Sequence, residues 1–104
     1  MMIVYNVTVS VDENITSDWL AWMKDEHIPE VMACKIFTKA QINKVITNSD
    51  SNNTFAIAYT CTTIEKLHRY QTEFSAKIQE KHVARYGDKA VAFRTTMQII
   101  EEFY

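Results

Sequence analysis

His27 is the side chain in this sequence best placed to do chemistry, because an imidazole exchanges a proton near neutral pH. In the run from Trp19 to Val31, two tryptophans and Met23 share one apolar stripe at helical spacing, and His27 continues that stripe. An imidazole at the end of a core-facing stripe favours a small-ligand site, with His27 as its binding or acid–base group. The competing interpretation is a structural histidine that bonds a nearby carbonyl.

A second group of candidates lies at alternate positions of three predicted strands. Asn6, Thr8, Thr60 and Arg94 are predicted to share one sheet face that is small, neutral and rich in hydroxyl groups. Because that predicted face carries no Asp or Glu, Arg94 needs a helix or partner-chain carboxylate, water or an anionic ligand. These four residues and His27 form the predicted ligand site, and the catalytic assignment rests on His27 alone.

The remaining chemistry-bearing residues predict no further site. His68 and His82 fall in a helix dense in charged and amide side chains, so both are expected to be solvated. Cys34 and Cys61 do not form a zinc-knuckle or Cys-x-x-Cys pattern and are not expected to bond each other. A single glycine excludes a glycine-rich phosphate loop. We therefore expect neither a metal nor a cofactor.

The elements that must position these residues follow from hydrophobic periodicity, which predicts strands over residues 3–11, 35–47, 54–62 and 89–100. Turn-forming residues at 47–53 predict an antiparallel hairpin between the second and third strands. With two helices, the order is β-α-β-β-α-β. It predicts an α+β, ferredoxin-like fold in which a four-stranded antiparallel sheet has both helices on one face. On the last strand, Phe93 is assigned to the helix-covered face and Arg94 to the opposite face.

The two helices have recognisable ends. The first is expected to stop near His27, because Pro29 pushes Ile28 out of the helical region. The second is expected to open with a capping box at residues 62–65 and to end at Gly87.

Length and composition narrow the functional classes. A chain of 104 residues predicts one domain, residues 1–104. The net charge is −2 and the basic residues form no run, which argues against a nucleic-acid partner. No apolar stretch approaches the roughly 20 residues that span a bilayer, and the N-terminus lacks the features of a signal peptide. A cytoplasmic protein without a membrane partner is expected.

Three motifs together resemble an uncharacterised bacterial family, a domain of unknown function in the dimeric α+β barrel superfamily. They are the first strand, the run Trp19–Val31 with its His-x-Pro, and the segment Arg85–Thr95. The likeness covers essentially the whole chain and implies ferredoxin-like protomers that pair sheet to sheet as a homodimer. The superfamily includes small monooxygenases and isomerases, but the resemblance itself supplies no reaction.

The leading hypothesis is a homodimer that binds a small molecule in a polar pocket between the sheet and the first helix, and the ligand could be anionic. The alternative is a cofactor-independent monooxygenase- or isomerase-like enzyme with His27 as acid–base group. A third is a structural interaction module with no ligand. A cavity with convergent polar groups favours the first two, and a strongly shifted pKa of His27 inside it favours the enzyme.

Overall fold

The chain forms a four-stranded antiparallel sheet covered by helices, in a computed structural model that describes residues 1–47 and 53–104. The main elements, in chain order, are β1 (Ile3–Val11), α1 (Thr16–Trp22), α2 (Ile28–Ala33), β2 (Lys39–Lys44), β3 (Thr54–Cys61), α3 (Ile64–Glu73), α4 (Ser75–Tyr86) and β4 (Ala90–Gln98). The strands lie in the order β2-β3-β1-β4, so the predicted ferredoxin-like α+β fold is confirmed. Residues 48–52 of the predicted turn lie outside the described residues.

The centre of the sheet has the faces that the alternation of β1 predicts. Tyr5 and Val9 are buried under the helices, and their neighbours on β3 are equally buried. Ile57, directly opposite Val7, is completely buried, and Tyr59, opposite Tyr5, is nearly so. We call this helix-packed side the covered face and the other side the open face.

The last strand presents the opposite faces from those predicted. Arg94 lies opposite Val7 and therefore belongs to the covered face, whereas Phe93 lies opposite Thr8 on the open face. The assignment was wrong because the larger apolar residues of β4, Val91, Phe93 and Met97, were taken as core, whereas the covered side carries two alanines followed by polar residues. Ala90 instead packs under the helices, while the side chain of Phe93 is 64% exposed. A shift of one position exchanges every side chain between faces.

The prediction that the first helix stops near His27 was wrong, because the helix continues to Ala33. A π-helical turn, Met23–His27, joins α1 to α2, and the Ile28 N–H donates to the Met23 carbonyl five residues back. Ile28 keeps helical dihedral angles, φ −63° and ψ −44°. Pro29 lacks an N–H, and in a regular α-helix its ring would meet the carbonyl of Asp25. A wider turn accommodates Pro29 without ending the helix, and such turns are frequent at functional sites.

The second predicted helix is divided in two. The Thr63 hydroxyl caps α3 by accepting a backbone N–H at 3.2 Å, one residue later than the predicted cap. Phe74, at φ −124° and ψ −38°, separates α3 from α4, and the Ser75 hydroxyl donates to the Gln71 carbonyl at 3.0 Å. Gly87, at φ +57°, ends α4 as predicted. None of the helices in the described part of the chain is long and apolar enough to cross a membrane.

The core lies between the covered face and the helices and is rich in aromatic rings. Trp19 is completely buried and packs on Phe55, with ring centroids 5.2 Å apart. The ring centroids of Phe37 and Tyr70 are 5.0 Å apart, so the segment before β2 packs against α3. Cys34 and Cys61 are free thiols, as predicted.

Candidate functional site

A cavity of about 290 Å³ lies between the covered face and the helices. Ligand pockets commonly measure about 300–1,000 Å³, so this volume suits a small organic molecule. Most of its wall is apolar, and no Asp or Glu from the described residues lines it. The polar side chains of the wall are Tyr5, His27, Tyr59, Tyr70, Gln79, His82 and Arg94. Such a wall favours a ligand with an apolar body and few polar groups.

His27 reaches this cavity from the end of the π-helical turn. Its Nδ1 atom is buried and has no hydrogen-bond partner among the described residues. Burial, above all, lowers the pKa of His27 to about 4; His82 and Arg94 also lower it, and Glu30 opposes them. The imidazole is therefore neutral at pH 7. A buried, unpaired ring nitrogen beside a cavity is a position where a ligand atom can complete the hydrogen bonding.

His82 lies next to His27, so the prediction that it is solvated was wrong. The Trp19 indole Nε1–H donates to His82 Nε2 at 3.0 Å, and the two imidazole centroids are 5.7 Å apart. Burial is the main cause that lowers the pKa of His82, and Arg94 adds to it. A signal was present in the sequence: Ile78, His82 and Tyr86 recur every four residues, which places them on one helix face.

Arg94 brings a positive charge to the same cavity from β4. Its guanidinium lies close enough to the Tyr5 hydroxyl to act on the pKa of that group. Burial nevertheless raises that pKa above its ordinary value, and Arg94 opposes the rise. No carboxylate of residues 1–47 or 53–104 lies within ion-pair distance of Arg94. Arg94 therefore lies on the covered face instead of the predicted open one, and which partner its charge has stays a prediction.

Tyrosine side chains supply further polar groups. Burial raises the pKa of both Tyr59 and Tyr70, and the proximity of Tyr5 adds to the increase in each. All three phenols are therefore neutral at physiological pH and can donate hydrogen bonds.

The five predicted site residues divide between the two sides of the sheet. His27 and Arg94 line the cavity, whereas Asn6, Thr8 and Thr60 lie on the open face. There the Asn6 amide donates to the Thr8 hydroxyl at 3.0 Å. The predicted residues therefore do not form one pocket in a single chain. Ligand binding by Asn6, Thr8 and Thr60 stays a prediction.

The open face has a distinct character of its own. Val91, Phe93 and Met97 project from β4 with 60%, 64% and 45% of their surfaces exposed. Beside them β1 and β3 present small neutral residues, among them Thr8 and Ala58. Monomeric proteins rarely expose a contiguous apolar patch without a binding role.

The arrangement of the cavity permits two kinds of chemistry. A cation and neutral donors can hold an oxyanion, and a neutral imidazole can accept a proton from a bound molecule. No group of three or more His, Cys, Asp or Glu side chains suited to a metal ion occurs among the residues that the structure describes.

A family model, described as a domain of unknown function (DUF4286), matches residues 2–100. The chain belongs to this family. Among curated proteins, none matches it significantly.

Several solved structures share the fold of this DUF4286 protein. A dimeric ferredoxin-like protein from an uncultured marine organism has a TM-score of 0.74 at 8% identity, covering 98% of this chain and 97% of its own. SnoaB, a cofactor-independent oxygenase from Streptomyces nogalater, has a TM-score of 0.72 at 7% identity, and the match covers 97% of this chain and 95% of SnoaB. An EthD-like protein from Ralstonia eutropha has a TM-score of 0.71 at 17% identity, and the match covers 98% of this chain and 95% of the EthD-like protein. At these identities the likeness shows the fold alone.

Proposed function

We propose that this protein is a homodimer that binds a small organic monoanion in the cavity of each protomer. The observation that carries the proposal is Arg94, which lines a cavity with no Asp or Glu among the described residues and lies close enough to His27 to lower the pKa of its imidazole. The guanidinium at the edge of this cavity can bind an anionic ligand, and charge-assisted hydrogen bonds are the stronger ones. The apolar remainder of the wall suits an aromatic or aliphatic body.

Calorimetric titration with benzoate and with its neutral analogue benzamide tests the binding. Benzoate should bind the wild type more tightly than benzamide, because only benzoate carries the charge that Arg94 complements. In Arg94→Met the affinity for benzoate should fall by about tenfold or more, which corresponds to one charge-assisted hydrogen bond.

Arg69→Met is the matched control, because Arg69 is exposed on α3 and pairs with Glu73 away from the cavity. Its affinity for benzoate should equal that of the wild type. Benzoate that fails to bind the wild type, or that binds Arg94→Met equally well, contradicts the proposal.

A second candidate function is a cofactor-independent enzyme with His27 as acid–base group. The pKa of His27, lowered to about 4, favours it, because a neutral imidazole is ready to accept a proton at pH 7. Arg94 would stabilise the negative charge that develops on a substrate after proton removal. SnoaB, whose fold is similar, is itself a cofactor-independent oxygenase.

Phenylpyruvate is a suitable probe for this activity, because it combines a carboxylate with exchangeable C–H protons. In D₂O the wild type should accelerate exchange of these protons, followed by proton NMR, and His27→Gln should lose the acceleration while still binding benzoate. Exchange at the buffer rate with the wild type contradicts the acid–base role and leaves the binding proposal standing.

The homodimer is proposed to form through the open face. Its exposed apolar side chains and small neutral residues support this, and one protein of similar fold is described as dimeric. Sedimentation analysis at micromolar concentration should show a dimer for the wild type and a monomer for Phe93→Asp. Arg94→Met alters the adjacent residue on the covered face and should remain dimeric. A monomeric wild type contradicts the proposal.

A further inference from the structure

We propose that His82 is a second anion-binding residue, which donates a hydrogen bond from its Nδ1 to the ligand, and that Trp19 is the positioning residue that fixes this tautomer. The inference rests on the proposed binding function. It adds a donor that the sequence did not reveal and narrows the ligand to one that presents acceptor oxygens, such as a carboxylate or an enolate.

The tautomer of His82 follows from one hydrogen bond. The Trp19 indole can only donate, so His82 Nε2, 3.0 Å from the indole Nε1, must accept through its lone pair. A neutral imidazole carries one N–H, which is therefore on Nδ1. Trp19 is completely buried, so the donor that imposes this tautomer is held by the core.

The orientation of the ring is also constrained by its neighbours. Trp22, His27 and Tyr86 have ring centroids 5.9, 5.7 and 5.6 Å from that of His82. An imidazole packed on three sides and bonded at Nε2 presents its other nitrogen in a fixed direction. Preorganised donors of this kind bind an anion without a cost for reorientation.

The charges around His82 keep it in the neutral form. It faces His27 from the π-helical turn, Arg94 from β4 and Tyr86 from its own helix, α4. None of these three side chains is an anion at pH 7. Protonation at Nε2 would break the bond from Trp19 and place a second cation near Arg94. The cavity therefore presents a cation and an oriented donor, which match the lone pairs of a carboxylate, whereas the cation repels an ammonium group.

Nitrogen NMR of the ¹⁵N-histidine-labelled wild type tests the tautomer without any substitution. At pH 7 the His82 Nδ1 should carry the proton, and benzoate should shift this Nδ1 resonance. Trp19→Phe removes the indole donor, so its His82 should shift toward the Nε2–H tautomer and titrate at a higher pH than in the wild type. A wild-type His82 protonated at Nε2 overturns the inference.

Substitutions of His82 test the contribution to binding. His82→Leu should weaken benzoate binding by about tenfold, the effect of one hydrogen bond to a charged group. His82→Asn should retain most of the affinity, because its amide nitrogen reaches roughly the position of Nδ1. His68→Leu is the control, since His68 is exposed on α3, and its affinity should not change.

The outcomes separate this inference from the function on which it rests. Benzoate that does not bind the wild type contradicts the proposed function. Benzoate that binds through Arg94, with equal affinity for the wild type and His82→Leu, overturns only the role of His82. If His82→Leu does not fold, the NMR titration of the wild type with benzoate tests the role of His82 instead. A His82 Nδ1 resonance that benzoate leaves unchanged overturns that role.

Discussion

The two faces of the sheet differ in what their side chains do. On the covered face, Ile57 and Val9 are buried under helices and line the cavity together with the small side chains of Ala90 and Ala92. On the open face, Phe93 and its apolar neighbours are exposed. In the first half of β4 the contrast is one of size, because Ala90 and Ala92 face the helices whereas Val91 and Phe93 face outward. Small residues beneath a helix layer leave room for a ligand, whereas large residues on an uncovered face favour association with another surface.

The largest expected difference between the faces is in stability. Ile57→Ala should lower the free energy of unfolding by about 2–5 kcal/mol, because it removes buried apolar contacts and enlarges the internal cavity. Phe93→Ala, compared at concentrations where the chain is monomeric, should cost less than about 1 kcal/mol, since surface substitutions usually have small effects. Urea unfolding followed by fluorescence measures both. Equal losses at the two positions would mean that the faces do not differ as described.

The two histidines that line the cavity, His27 and His82, should make stability depend on pH. In the unfolded chain His27 has a pKa of 6.5, and in the folded chain its pKa is about 4. Between these values only the unfolded state binds the proton, so stability is complete above pH 6.5 and is lost as the pH falls toward 4. For one such group the slope is at most about 1.4 kcal/mol per pH unit. The lowered pKa of His82 acts in the same direction.

Urea unfolding between pH 4 and 7 checks this dependence. His27→Phe should lose part of the slope, because the group that takes up a proton on unfolding is gone. His68→Gln removes an exposed histidine and should keep the full slope. An identical slope in His27→Phe and the wild type would show that burial of His27 is not the cause.

The smallest expected effect is that of Arg94→Met on folding. Its side chain is exposed at the edge of the cavity, so removal of its charge should change the unfolding free energy by no more than about 0.5 kcal/mol. Arg94→Met should weaken benzoate binding while the free energy of unfolding stays nearly unchanged, which distinguishes a site residue from a core residue. A loss of several kcal/mol would instead mean that Arg94 is a structural part of the covered face.

The architecture was predictable because local signals agree with one another. The alternation of β1, the order of the elements and the positive-φ glycine at position 87 each point to the same fold, and the structure confirms them. The end of the first helix was not predictable in this way. Proline usually terminates a helix, but here a π-helical turn at Met23–His27 relieves the conflict at Pro29.

The site was predictable only in part. His27 was identified because an imidazole on an apolar stripe is visible in the sequence. Arg94 was identified because its predicted sheet face carries no acidic residue, although the structure places it on the other face. His82 was missed because its environment depends on Trp19, which is 63 positions away along the chain. Helical spacing placed His82 on the face of Ile78, but the charged residues beside it in the sequence hid that relation.

By itself, the sequence of this protein determined which residue types are available and the order in which strands and helices form, because backbone periodicity and turn chemistry act over a few residues. Only the tertiary structure decided which side of β4 faces the helices and which side chains meet in the cavity. Apolar residues occur on both sides of that strand and the larger ones lie on the open side, so the pairing of Val7 with Arg94 had to be established by the packing of the whole sheet. The identity of a site depends on such long-range pairing, since a single residue of register moves a charge from one face to the other.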